Sequence, residues 1–329
     1  MSSNGLPAGF RWVHASNGSI PPDAVVAGKD KSGEVLHVAR VSAGNRATDI
    51  GKCGSHLRGA VTASGGREHF HNNYEVLCGR SPNLKWVEHT GAFDLTKLSA
   101  GHAPIIGGKD SNGATLFITR IRMGSSDAAQ SRSTSIGVQP GKVSALMQGA
   151  SAAFNGQEYT AQKYEVLVHE YEGFSWIQIH RDPIPSGAIP AGHENGNTLY
   201  VARAFFIAGG PGGQKSIQVG KAGPHIKGAS FSYGKGYGEI LKDDVEIFVG
   251  DSSKVKWVSH SGPAEFDDIK GNPVLGGMDF GSHTLFIARV PYNDDLQVGK
   301  ASVALLEGMH FSYSGQEIMR NDYEIMCYK

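Results

Sequence analysis

Apolar residues in this chain gather into short runs rich in β-branched and aromatic side chains, separated by glycine and polar residues. VLHVAR ends at Arg40, TLFITR at Arg120, TLYVAR at Arg203 and TLFIAR at Arg289. Comparable runs, YEVL, YEVL, VEIF and YEIM, surround Glu75, Glu165, Glu246 and Glu324. Runs this short, with this composition and turn residues between them, predict strands. Glycine makes up 45 of 329 residues and is spread along the whole chain, which predicts many tight turns. One segment invites a helix: VSALMQGASAAF, after Lys142, has apolar residues loosely spaced at three and four. Its counterparts, CGSHLRGAVTASGG and AGPHIKGASFSYGKG, carry glycine and proline that would break a helix, so strand is predicted there as well. The pattern is all-β.

The runs recur in a fixed order. Trp12, Trp86, Trp176 and Trp257 each open a unit. An acid follows a Gly-X step at Asp30, Asp110, Glu194 and Asp279, and the strand-end arginine comes ten, ten, nine and ten residues later. A Gly-Lys step then falls at Lys52, Lys142, Lys221 and Lys300, and a glutamate in a glycine turn at Glu68, Glu158, Glu239 and Glu317. The tryptophans are 74, 90 and 81 residues apart, too far for a solenoid, so each copy should be a small domain or half-domain of about six strands. Two copies should combine to complete a core. The expected organisation is a first pair over 1–169, with repeats at about 10–79 and 84–169, and a second over 170–329, with repeats at about 174–250 and 255–329. The short junction at 169–173 predicts pairs that pack rather than swing. MGSSDAAQSRSTSIGVQP, between Arg120 and Lys142, reads as a mobile surface insertion, and GGPGGQK at 209–215 lies in another insertion between strands.

Charge narrows the functional classes. Lys plus Arg and Asp plus Glu number 31 each, so no basic surface advertises nucleic acid. No run approaches 18 consecutive apolar residues, as a membrane helix would need, and MSSNGLPAGF has no signal-peptide pattern. The expected location is cytoplasmic, or outside the cell after release without a classical signal. Three cysteines, Cys53, Cys78 and Cys327, are too few for a disulfide framework in a chain of this length. The histidines show no recurring metal spacing, and the pair His69 and His71 occurs in one repeat only, so no metal site and no cofactor are expected.

The repeated polar set carries the chemistry. A carboxylate accepts hydrogen bonds and an ammonium donates them, so an acid and a lysine at one pocket suit the vicinal hydroxyls of a sugar. The same pair also fits a structural ion pair, and Asp before Ser, Asn or Gly fits a β-turn. The strand-end arginines are read as structural partners of the closing glutamates, and the tryptophans as packing residues. Four near-identical copies are a poor route to one catalytic cleft, which needs two carboxylates at a set separation. They suit a multivalent binder, where linkage raises avidity by roughly 10² to 10⁴. No catalytic residue is assigned.

The series FRWVHASNGSIPPDAVVAGKDKSGEVLHVAR, IGKCGSHLRGA, REHF and YEVL resembles the DM9 repeat family. The resemblance runs from Phe10 to Tyr328 as four repeats in two tandem pairs. It implies a mannose-binding lectin of microbial recognition, with the Gly-X acid and the Gly-Lys lysine on the sugar; calcium independence is expected because no cluster of oxygen ligands recurs among the repeats. Carried onto this sequence, the sugar-binding residues are Asp30 with Lys52, Asp110 with Lys142, Glu194 with Lys221 and Asp279 with Lys300. The third repeat departs from the pattern in having Glu194 for Asp and VEIF for YEVL. Smaller lectins of this type resemble one pair that dimerises, so a monomer with an internal pseudo-dimer is expected. The alternatives are an interaction scaffold that binds no sugar and a relative of the pore-forming toxins in which such repeats also occur.

Overall fold

The structure is a computed structural model, and it describes residues 5–44, 47–123, 137–181, 183–208, 215–233 and 238–329. The expected insertions, 124–136 within the Ser-rich stretch and 209–214 within GGPGGQK, lie outside the described residues. Among those described, the chain is all-β with three single turns of 3-10 helix, at Leu95–Lys97, Ser252–Lys254 and Phe266–Asp268. It forms two compact units. One comprises Gly9–Lys97 and Pro104–Glu170; the other comprises Tyr171–Lys329, Leu98–Ala103 and the N-terminal segment through Ala8.

The first repeat contributes β1 (Arg11–Ser16), β2 (Val26–Lys29), β3 (Val35–Ser42), β4 (Thr48–Cys53), β5 (Ala60–Ser64), β6 (Arg67–His71) and β7 (Asn73–Cys78). The second contributes β8 (Leu84–Thr90), β9 (His102–Pro104), β10 (Ile106–Lys109), β11 (Thr115–Arg122), β12 (Val138–Val143), β13 (Ala150–Phe154), β14 (Gln157–Ala161) and β15 (Lys163–Glu170). The first repeat thus has seven strands and the second eight, instead of about six. After the Gly-Lys step, VSALMQGASAAF runs from the end of β12 through a turn into β13, which pairs with β14. The strand expected there is present and the helix is not.

Two antiparallel hairpin pairs, β2–β3–β4 and β10–β11–β12, close on each other into a six-strand ring. The closing contacts are equivalent: Lys29 opposite Val138 and Lys109 opposite Thr48. The other unit repeats the construction, with closures His193 opposite Leu296 and Ile217 opposite Met278. Ring strands are covered on both faces, which is why VLHVAR reads as nearly continuous apolar sequence rather than an alternation. Val38, Ile118, Val201 and Ile287, at one equivalent position, are wholly buried, and each such side chain contributes about 1.5–3 kcal/mol.

Outside the ring, the strand-end arginine links three strands. Arg40 lies 4.4 Å from the Trp12 ring centre and its Nε donates to Glu75 at 2.7 Å. Arg120 with Trp86 and Glu165, Arg203 with Trp176 and Glu246, and Arg289 with Trp257 and Glu324 repeat the arrangement, at 4.1–4.5 Å and 2.7–2.8 Å. The arginine and closing glutamate are therefore architectural, and the tryptophan is half-buried beneath the guanidinium.

Close backbone packing explains two of the motif glycines. At the ring closures, a Cβ on Gly28, Gly108, Gly192 or Gly277 would sit 2.0–2.1 Å from a carbonyl oxygen of the other repeat. At the Gly-Lys step, a Cβ on Gly51, Gly141, Gly220 or Gly299 would sit 2.1–2.2 Å from a carbonyl of the following strand. Gly51→Ala should therefore force strands apart and cost roughly 1–3 kcal/mol or more, read as a lowered urea midpoint.

Candidate functional site

The Gly-Lys lysines are buried: Lys52, Lys142, Lys221 and Lys300 are 7, 8, 1 and 4% exposed. A buried ammonium needs acceptors, and here they come from the opposite repeat of the pair. Lys52 Nζ donates to Gln139 Oε1 and to the Ala153 carbonyl, both at 2.6 Å. Reciprocally, Lys142 donates to the Asp49 carboxylate and, at 2.6 Å, to the Ala63 carbonyl. In the other unit Lys300 donates to Gln218 Oε1 at 2.5 Å and to the Ser232 carbonyl at 2.6 Å, and Lys221 donates to Gln297 Oε1 at 2.6 Å.

The acid of the Gly-X step serves two purposes. Asp30 Oδ1 accepts from Ser32 N at 2.8 Å, Ser32 Oγ at 2.6 Å and Glu34 N at 3.1 Å, which fixes the β2–β3 turn. Its Oδ2 lies 3.0 Å from His56 Nε2. Burial opposes its charge, but the Ser32 and backbone hydrogen bonds prevail and hold its pKa below the ordinary value. Asp110 fixes its turn through Asn112 N and Ala114 N, and Asp279 does so through Gly281 N and His283 N, at 2.8–2.9 Å. The turn reading and the pocket reading thus describe different oxygens of one side chain.

Asp30, Lys52, His56 and Leu57 of the first repeat, with Gln139, Phe154 and Asn155 of the second, line a cleft of about 150 Å³ that opens beside exposed Lys31. Among the described residues no hydrogen bond joins Asp30 to Lys52, nor Asp110 to Lys142, nor Asp279 to Lys300. The acid and lysine of the first repeat share a cleft without neutralising each other by contact. The third repeat differs: Lys221 Nζ donates to both carboxylate oxygens of Glu194 at 3.1 Å, and His225 Nε2 adds a contact to Glu194 at 3.2 Å. The extra methylene of glutamate carries the carboxylate onto the ammonium.

Three of the four glutamates of the glycine turns fasten the hairpins of paired repeats together, while Glu317 meets His310 of its own hairpin. Glu68 accepts from Gly156 N at 2.7 Å and Glu158 from Gly66 N at 2.9 Å; Glu239 accepts from Gly315 N at 2.7 Å. Glu68 also lies 3.9 Å from Lys52 Nζ. Desolvation lowers the pKa of Lys52, Lys221 and Lys300, against the opposing pull of nearby carboxylates, and Lys300 falls to about 8.

Sequence reasoning missed the acceptors Asp49, Gln139, Gln218 and Gln297, although each stands three residues before a Gly-Lys lysine. It also missed the histidines that meet the acids. His56 and His225 each follow their lysine by four residues, while His283, 2.9 Å from Asp279, comes from the turn itself. The three cysteines are free and buried, and burial raises Cys53 to about 12. Among the described residues no group of three or more His, Cys, Asp or Glu could hold a metal ion, and no helix is long and apolar enough to cross a membrane.

These features define an all-β tandem-repeat protein with a polar cleft assembled between its first two repeats. The family model of the DM9 repeat matches residues 4–52, 45–128, 131–209 and 193–319, and the chain belongs to that family. No curated protein matches it. Among solved structures, the nematode sperm cell motility protein MFP2B is 14% identical over 98% of both chains, at a TM-score of 0.34. A likeness that loose carries no argument about the site.

The lowered pKa of Lys300 has a signed consequence. Between about 8 and the ordinary 10.5 the unfolded chain binds the proton more tightly than the folded chain, so stability rises with pH across that window. The stability of wild type relative to Lys300→Met should increase from pH 8 to 10.5, by at most about 1.4 kcal/mol per unit. Urea unfolding of both proteins across that range measures it.

Proposed function

We propose that this protein is a multivalent, calcium-independent lectin that binds mannose-type glycans through its acid and lysine clefts. The observation that carries the reading is an unused donor. An ammonium has three N–H groups, and Lys52 uses two on Gln139 and Ala153. The third belongs to a cation that is buried yet lines an open cleft beside the Asp30 carboxylate. Adjacent sugar hydroxyls supply what the cleft lacks: one oxygen to accept from Lys52 and one O–H to donate to Asp30. Lys142 and Lys300 likewise make two hydrogen bonds each among the described residues. Membership of the DM9 family supports carbohydrate as the ligand class, and mannose comes from the family resemblance.

On this reading the role is binding rather than catalysis, because the carboxylates beside the lysines are held by hydrogen bonds to turns or to the lysines themselves. The third cleft is closed by its own side chain: Gln297 and the two Glu194 oxygens occupy the three donors of Lys221.

Titration calorimetry with mannose, galactose and glucose tests the proposal. Wild type should give mannose-selective heat, and the Asp30→Ala, Asp110→Ala, Asp279→Ala variant should lose it while remaining folded. The lost turn hydrogen bonds should cost roughly 1–3 kcal/mol per site. Glu194→Asp, which withdraws the carboxylate from Lys221, should add one mannose bound per chain. A folded triple variant that still binds mannose at wild-type affinity overturns the assignment.

A further inference from the structure

Within the lectin reading, we infer that the first cleft takes its stacking platform from the opposite repeat, at the residue that follows the carbonyl bonded by the lysine. In the first cleft Lys52 bonds the Ala153 carbonyl, and the next residue, Phe154, lines the cleft. In the third, Tyr313 occupies the equivalent position, and Lys221 Nζ lies 5.6 Å from its ring centre. In the fourth, Lys300 bonds the Ser232 carbonyl, and Tyr233, next in sequence, packs edge-on against Phe280, the residue after the acid Asp279. The position is thus aromatic in three repeats, but the Tyr233 ring already stacks on Phe206 at 4.7 Å, which leaves Phe154 as the ring that lines the described cleft. In the second, Lys142 bonds the Ala63 carbonyl and the next residue is exposed Ser64.

The ligand class follows from this geometry. A cleft with hydroxyl-binding charges on one wall and a half-exposed aromatic ring on another suits a pyranose with an apolar C–H face, because ring faces are electron-rich and sugar C–H groups are weakly positive. Phe154 therefore sets affinity and ring-face preference, while Asp30 and Lys52 read hydroxyls. The four repeats are graded accordingly: the first combines the platform with a lysine not capped by its own acid, the second lacks an aromatic residue at that position, the third lysine is capped by Glu194, and the fourth tyrosine is stacked on Phe206.

The test uses methyl α-mannoside and the full chain carrying Asp110→Ala and Asp279→Ala, which leaves the first cleft as the uncapped one. Phe154→Ala and Phe154→Leu should each weaken binding about three- to tenfold, while Phe154→Tyr should retain it. The upfield ring-current shift of the bound sugar's C–H protons should vanish in Phe154→Leu. A gain-of-function arm is independent of any folding defect at Phe154: with Asp30→Ala and Asp279→Ala in place, Ser64→Phe should tighten the second cleft by a similar factor. If the Phe154 variants and Ser64→Phe leave affinity unchanged while Asp30→Ala still abolishes first-cleft binding, the platform is refuted and the lectin reading stands. If wild type binds no pyranoside, both fall.

Discussion

A lysine ammonium taken out of water must find acceptors, and in this molecule it finds them on another repeat. Lys52 and Lys142 each reach across to the strand that carries the other, and Lys221 and Lys300 do the same in the second unit. Breaking one such bond strands a buried charge, which costs far more than the bond itself contributes. This exchange makes the pair, rather than the repeat, the structural element. It also places the cation at the base of a cleft whose other wall belongs to the partner repeat.

The motif residues divide by what each satisfies. The glycines permit strand crossings that no side chain could enter, and the arginine, tryptophan and closing glutamate tie the outer strands to the ring. The acid is shared: one oxygen holds a turn and the other faces the cleft. A motif that is invariant for architecture can thus carry a binding role on atoms that architecture leaves over. Repetition within one chain preserves both without distinguishing them.

That division sets what could be read from sequence. Strands, their arginine ends and the arginine–glutamate partnership were legible, because each depends on residues within one repeat and recurs four times. The acid and lysine were legible as a set for the same reason. The partners of Lys52 were not legible: Gln139 and Ala153, 87 and 101 residues away, accept its hydrogen bonds, whereas the alternative of a direct ion pair with Asp30 does not form. No periodicity within a repeat reports a bond made between repeats. Phe154 was invisible for a related reason: it belongs to the second repeat by sequence and to the first cleft by position. The closure of the third cleft by Glu194 turned on a single methylene, which sequence flagged as a departure but could not orient.

The crosswise lysines also govern how the chain comes off the ribosome. Their bonds join residues 68 to 101 positions apart, and at about 5–20 residues per second the first repeat of a pair waits several seconds for the strands that complete it. During that interval its lysine stays hydrated and the strands that will meet their partners remain open edges, a state in which pairing with a neighbouring nascent chain competes with pairing at home. The reciprocal lysine contacts favour the home partner only once both repeats have emerged.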